Sequence, residues 1–223
     1  MIIVSVKPET GGISGEGGAD IRRIELSDGS LFSFRLFYLP PNPAGGSVYV
    51  PDTDRGRELE EGEEEALRFA AACYRAERNA LRLIARAEQS AAGLARKLER
   101  GGHERSCVRA VLARLSGLDA VNDRRFAELW LLSRLGRRTD SPRGLLAALR
   151  NRGISGSDAE KSLKKILDGD TEQELLVRYA KKNGFIPAES EPAPPDLDFI
   201  WSKLKFEGFS PAAIQRFRDE WDA

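Results

Sequence analysis

The side chains best suited to chemistry in this chain are its arginines, and they are unevenly placed. Between residues 75 and 152 stand 18 Lys and Arg against 8 Asp and Glu, and every one of those bases except Lys97 is arginine. That is a balance of +10; residues 1–74 balance at −6 and residues 153–223 at −4, so a net charge of zero hides a basic middle. Guanidinium groups are planar, permanently charged and shaped to bind phosphate or carboxylate through two hydrogen bonds. The arginine-rich middle therefore suits phosphate or an acidic protein surface, and the plainer alternative is a solvated helical face.

Covalent and acid–base chemistry finds little support. The chain has no phosphate-binding glycine loop, no GxSxG and no HExxH, and its single histidine, His103, leaves few general-base arrangements. Cys73 and Cys107 fall in apolar, helix-like stretches without a CxxC, so they are expected as two buried thiols. Neither a metal nor a cofactor is expected, and the chain is expected not to be an enzyme. The segment "MIIVSVKPETGG" lacks a basic and then apolar leader, and no run reaches the ~20 apolar residues of a membrane span. A cytoplasmic protein without membrane association is expected.

Residues 1–57 and the rest of the chain follow different periods. In "IRRIELSDGSLFSFRLFYL" the apolar Ile24, Leu26, Phe32, Phe34, Leu36 and Tyr38 are all even-numbered, the alternation of strands with one buried face. A three-residue loop Asp28-Gly29-Ser30, pairing Leu26 with Phe32, keeps that face together in a bulged hairpin. "SVYV" (47–50) is a candidate third strand beyond the loop "LPPNPAGG". After the acidic Glu63–Glu65, favoured at a helix start, a long helix to about Glu88 is expected, with Ala66, Phe69, Cys73, Ala76, Ala80, Ile84 and Ala87 as its apolar stripe. Beyond it only helices are expected, interrupted by one proline-rich linker, "IPAESEPAPPD" (186–196).

The helices repeat. "GLARKLERGGHE" (93–104), "GLLAALRNRGIS" (144–155) and "FIWSKLKFEGFS" (199–210) align on Gly102, Gly153 and Gly208, with Leu94/Leu98, Leu145/Leu149 and Ile200/Leu204 in register. Ser90, Ser141 and Asp196 then coincide at the helix starts, and glycines at helix ends are expected in the left-handed conformation. "SGSD" (155–158) and "TEQE" (171–174) have capping-box spacing. A preceding helix recurs at about 63–88, 123–137 and 171–184, so the unit is three helices, present three times. The expected fold is mainly α: an N-terminal β-hairpin extension (1–57), then a helical repeat domain (58–223) with repeats near 63–117, 118–168 and 169–223. These would form an elongated, right-handed or curved body.

Within the second repeat, Asn122 or Asp123 can cap "NDRRFAELW", and Phe126, Leu129, Trp130 and Ser133 share one face, read as core. Arg124 and Arg125 point elsewhere. The stretch "VNDRRFAELWLLSRL" (121–135) resembles the DD-x-RFA-x-x-W motif that opens the second repeat of the RecX family, bacterial regulators of the RecA recombinase. "ARAEQSAAGLARKLERGG" (85–102), "LAALRNRGIS" and "SKLKFEGFSPAAI" are similar to that family's other repeat signatures, in order, over roughly residues 64–223. Asn122 departs from the usual acidic residue, and Glu207 from the basic residue that often precedes the glycine–aromatic pair.

The resemblance implies a non-enzymatic modulator, most simply an inhibitor, that binds the RecA–DNA filament groove and limits ATP hydrolysis, strand exchange or filament growth in recombination and repair. Its partners would be the RecA filament and DNA, within the filament or weakly on its own, met as a monomer. The contact residues so implied are Arg96, Lys97, Arg100, Arg124, Arg125, Arg134, Arg137, Arg138, Arg143, Arg150 and Arg152. The other readings are a direct DNA-binding module of helix-turn-helix type, or a helical scaffold with no nucleic-acid partner.

Overall fold

The computed structural model describes residues 1–9, 20–40, 56–186 and 196–221; the candidate strand at 47–50 and the linker residues 187–195 lie outside them. Among the described residues there are three strands, β1 (Ile3–Pro8), β2 (Ile21–Leu26) and β3 (Leu31–Arg35), and nine α-helices. The helices are α1 (Glu61–Ile84), α2 (Ala91–Arg100), α3 (Arg105–Gly117), α4 (Asp123–Leu135), α5 (Pro142–Arg150), α6 (Gly156–Ile166), α7 (Gly169–Lys182), α8 (Leu197–Phe206) and α9 (Pro211–Trp221). The mainly helical class, with a small β segment ahead of helices in threes, is the one expected. Two compact units result: Met1–Glu88 with Leu94–Val121, and Gln89–Gly93 with Asn122–Ala223.

In the first unit the strands form an antiparallel sheet in the order β1-β2-β3. Ile24, Leu26, Phe34 and Tyr38 are buried, as the even-numbered alternation requires. The register differs from expectation, because Ile24 rather than Leu26 lies opposite Phe32. The loop is Ser27-Asp28-Gly29, closed by the Leu26 amide donating to the Ser30 carbonyl (2.9 Å). The reason is Gly29, whose φ of +80° belongs at the last position of a three-residue loop and not its centre. Among the described residues the third strand is β1, and the Ile3 and Leu59 amides bond the Arg57 (2.9 Å) and Met1 (2.7 Å) carbonyls beside it. A lone hairpin would be marginal in water; this sheet packs β3 against α1.

A buried ion cluster fastens sheet to helices. Glu77 of α1 takes the Arg35 Nε–H (3.1 Å) and the Tyr38 hydroxyl (2.8 Å) on Oε2. Its Oε1 lies 3.5 Å from Nε of Arg114 on α3. Arg35 also reaches Asp20 (3.1 Å). Burial pushes the Tyr38 phenol well above its ordinary range, reinforced by the Glu77 carboxylate. α1 itself ends at Ile84, so Ala87 is exposed beyond it, and Leu67, Ala70 and Tyr74 join the buried stripe instead. Cys73 and Cys107 are buried free thiols; burial, then hydrogen bonding to Cys107, drives the Cys73 thiol up and keeps it protonated.

The second unit buries Ala127, Leu131 and Leu135 of α4 with Leu145, Leu149, Leu175, Ile200 and Leu204. The expected α4 face is thereby corrected: Leu129 is 50% exposed and Ser133 is exposed, while Phe126 and Trp130 pack only partly. Spacing of four, 127–131–135, places small and branched side chains against α6, and the aromatics flank that stripe. Leu94, Leu98, Leu145, Leu149, Ile200 and Leu204, the residues aligned by the repeat, are all at most 1% exposed. Each such burial contributes about 1.5–3 kcal/mol.

Gly102, Gly153 and Gly208 have φ of +83°, +86° and +86°, as helix-ending glycines should. The amides of His103, Ile154 and Phe209 close back on Leu98, Leu149 and Leu204 at 3.1, 3.2 and 3.3 Å. Asn122, Ser141 and Ser155 each accept the amide three residues on. For α7 the cap is Asp168, which accepts the Thr171 amide (2.8 Å), so Thr171 lies inside the helix and not at its start. Both are capping types three residues apart, and the earlier one won because it adds a turn.

Candidate functional site

The first turn of α2 docks on the end of α5, and the first turn of α5 docks on the end of α8. At the former, the Ser90 hydroxyl accepts the Gly93 amide (3.1 Å) and donates to the Arg152 carbonyl (3.0 Å), while Asp123 accepts the Ala91 amide (2.7 Å). At the latter, the Ser141 hydroxyl accepts the Gly144 amide (3.2 Å) and donates to Glu207 (2.6 Å), and the Arg143 amide donates to the Glu207 carbonyl (3.0 Å). The aligned serines thus serve two helices each, and they set where the basic residues emerge.

The arginines singled out in the sequence divide by surroundings. Arg96, Lys97 and Arg100 are exposed on α2, and Arg137 and Arg138 are exposed after α4. Arg124, Arg134 and Arg150 are matched by acids: Asp158 (3.8 Å), Asp140 and Glu160 (3.1 Å). Arg125 is half-buried on α4. Such surface pairs are worth about 0.2–1 kcal/mol, so a polyanion can displace them.

Three of these arginines also lie over rings. Arg152 and Arg134 lie 4.5 and 5.7 Å from the centre of the Trp130 ring. Arg152 also donates to the Ala148 carbonyl (2.7 Å), so both its fixed contacts are structural. Arg143 lies 3.9 Å and Lys203 5.4 Å from the centre of Phe206, which is 59% exposed. An exposed ring held between cations can stack a base. Phe206 was absent from the sequence-derived set; its only signal there was its place between Lys205 and the repeat glycine.

Around Arg137 and Arg138 the fold adds two more cations from α7. Arg178 donates to the Leu135 carbonyl (3.0 Å) at the end of α4, and Lys182 to the Thr139 carbonyl (3.1 Å) in the loop after it. The first unit carries arginines that sequence reading did not single out: Arg75, Arg78, Arg82 and Arg86, all exposed. Their three- and four-residue spacing was a visible signal, but only the fold shows them lining a groove. There His103 is held by Asn79 (2.6 Å). Burial, then the Arg75 charge, lowers the imidazole pKa below its usual 6.5.

The comparisons with known proteins bear on this geometry. Residues 122–163, from the Asn122 cap almost to the end of α6, match the model of the RecX second three-helix domain. Over 154 residues the chain is 35% identical to "Regulatory protein RecX" of Treponema pallidum, strain Nichols, across 68% of this chain and 88% of that protein. The chain belongs to the RecX family. A second relative of the same name, from Halorhodospira halophila, is 32% identical over 54% of this chain and 74% of its own length. The RecX fold extends further: one RecX crystal structure matches at TM-score 0.67 with 19% identity over 98% of both chains. RecX from Lactobacillus salivarius matches at 0.56 with 20% identity, over 68% of this chain and 97% of that one.

Within this RecX chain the departure at Glu207 has a local reason. Its carboxylate accepts the Ser141 hydroxyl, and this bond, with Lys203 (3.0 Å) behind it, holds it below the usual glutamate pKa. A depressed carboxylate stabilises the fold above its ordinary pKa and stops doing so as pH falls through the lower folded-state value. Asn122 likewise does the capping itself, with its Oδ1 on the Arg125 amide (3.0 Å), which releases Asp123 to bind Ala91.

Proposed function

We propose that this chain is a non-enzymatic modulator of RecA that binds the RecA–DNA filament and limits ATP hydrolysis, strand exchange or filament growth. The observation that carries this reading is family membership, since a relative matched over 88% of its length is named a regulatory protein. The surface supports it. Exposed Arg96, Arg100, Arg137 and Arg138, with Arg143 on Phe206, present cations that suit acidic protein and phosphate together. Among the described residues no helix is long and apolar enough to cross a membrane. The chain works as a monomer in the cytoplasm, and Arg124, Arg125, Arg134, Arg150, Arg152 and Lys97 join the same set of contact cations.

Sedimentation with filaments tests this reading. The protein is expected to pellet with RecA assembled on single-stranded DNA and a non-hydrolysable nucleotide. Replacing Arg137, Arg138 and Arg143 together with alanine is expected to weaken that binding roughly tenfold or more, about 1.4 kcal/mol per decade. Wild-type protein remaining in the supernatant at every filament concentration would refute the reading.

A further inference from the structure

Along α1 runs a cationic stripe. Arg75, Arg78, Arg82 and Arg86 are spaced by three, four and four residues, so they project from one side of the helix and the turn after it. The last three follow one another at steps of roughly 6 Å along the helix direction. Opposite them lies the α2–α3 turn, Gly101 to Glu104, and between the two runs a groove of about 630 Å³. The groove continues past Arg82 and Arg86 to Lys97 on α2.

The charge of this groove is fixed. Among the described residues, Arg75, Arg78 and Arg86 have no carboxylate at ion-pair distance. Arg82 donates to Asn79 Oδ1 and to the Arg78 carbonyl (3.4 Å), which aims it along the stripe. Because a guanidinium only donates, the Asn79 amide nitrogen must face His103, whose Nε2 then accepts. That requires the neutral imidazole, in agreement with the lowered pKa. The one carboxylate on the lining is Glu104, which accepts the Ser106 hydroxyl (2.6 Å). None of the exposed large apolar side chains lines the groove. A protein partner would need apolar or aromatic anchors there; a phosphate backbone needs only cations and donors.

We propose that this groove binds the sugar–phosphate backbone of a nucleic-acid strand, with Arg78, Arg82 and Arg86 on phosphates and Asn79 and His103 orienting the middle arginine. The proposal rests on the reading of this chain as a protein that works on a nucleoprotein filament, and it adds where a strand would be held. Binding is without base readout, so it depends on salt and not on sequence.

The test is fluorescence anisotropy of a labelled polythymidine oligonucleotide with the full-length protein across a salt series. Arg78→Ala with Arg82→Ala is expected to weaken binding about tenfold. The slope of log affinity against log salt should become shallower by about 1.4, the value for two single-strand phosphate contacts. Arg78→Gln with Arg82→Gln repeats the test with long side chains kept, and should do the same. Lys161→Ala with Lys164→Ala, which removes equal charge from α6, should change little. Inorganic phosphate at matched ionic strength should compete no better than chloride, since a polymer is bound and not a single phosphate.

The proposal is overturned if wild type does not bind at low salt, if the α1 variants keep affinity and slope, or if the α6 control loses as much. Selective competition by inorganic phosphate would overturn it in favour of a small-anion site. No RecA is present, so failure here leaves filament binding standing, and failure to bind filaments leaves this result standing.

Discussion

Replacing Glu77 with alanine is expected to cost the fold about 3–5 kcal/mol, as removing one partner of a buried ion cluster does. The Glu77 side chain is 3% exposed and serves Arg35, Tyr38 and Arg114 at once. Without it, among the described residues, Arg35 (9% exposed) keeps one carboxylate, Asp20, and Arg114 (16% exposed) keeps none and faces only the Phe37 ring at 4.7 Å. The Tyr38 hydroxyl is left without its acceptor. Glu77→Gln keeps one acceptor oxygen and should cost less. Urea unfolding followed by circular dichroism measures both, and a loss under about 1 kcal/mol for the alanine variant would show that the cluster is not what fastens the sheet to α1 and α3.

Gly153→Ala should be nearly as damaging, for a different reason. A Cβ at Gly153 would stand 2.2 Å from the Cβ of Ala92, in the first turn of α2, and its φ is +86°. Gly102 has the same conformation, at +83°, but nothing within 4 Å of its Cβ direction. Gly102→Ala therefore reports conformation alone, about 1–2 kcal/mol. Gly153→Ala adds an overpacking cost of roughly 1–3 kcal/mol and should loosen the Ser90–Arg152 bond. Equal unfolding midpoints for the two variants would mean that Ser90 to Gly93, at the start of α2, do not sit against the end of α5 as described.

What could be read from the sequence was whatever depends on neighbours along the chain. Alternation at residues 24–38 identified the buried sheet face, and the leucine–leucine–glycine copies identified the helix ends, because each is a local period with a local consequence. The hairpin register shifted because parity leaves open which loop residue takes the left-handed conformation, and Gly29 decides it. The face of α4 cannot be read from its aromatics, because the smaller Ala127, Leu131 and Leu135 have the spacing that fits α6 better. The Arg35–Glu77–Arg114 cluster joins residues from three elements, and no pattern announces it. The same holds for the candidate surfaces: the α1 stripe is periodic and visible, but its groove exists only once the α2–α3 turn folds over beside His103. Arg124, Arg134 and Arg150 looked free in sequence and carry acid partners in the fold.

The most direct measurement of the proposed role is RecA's ATPase on single-stranded DNA with this protein titrated in. Inhibition should be evident well below one protein per RecA protomer, and the Arg137, Arg138 and Arg143 triple variant should need roughly tenfold more protein for the same effect. An ATPase rate that stays unchanged up to one protein per few RecA protomers would contradict a role in limiting RecA.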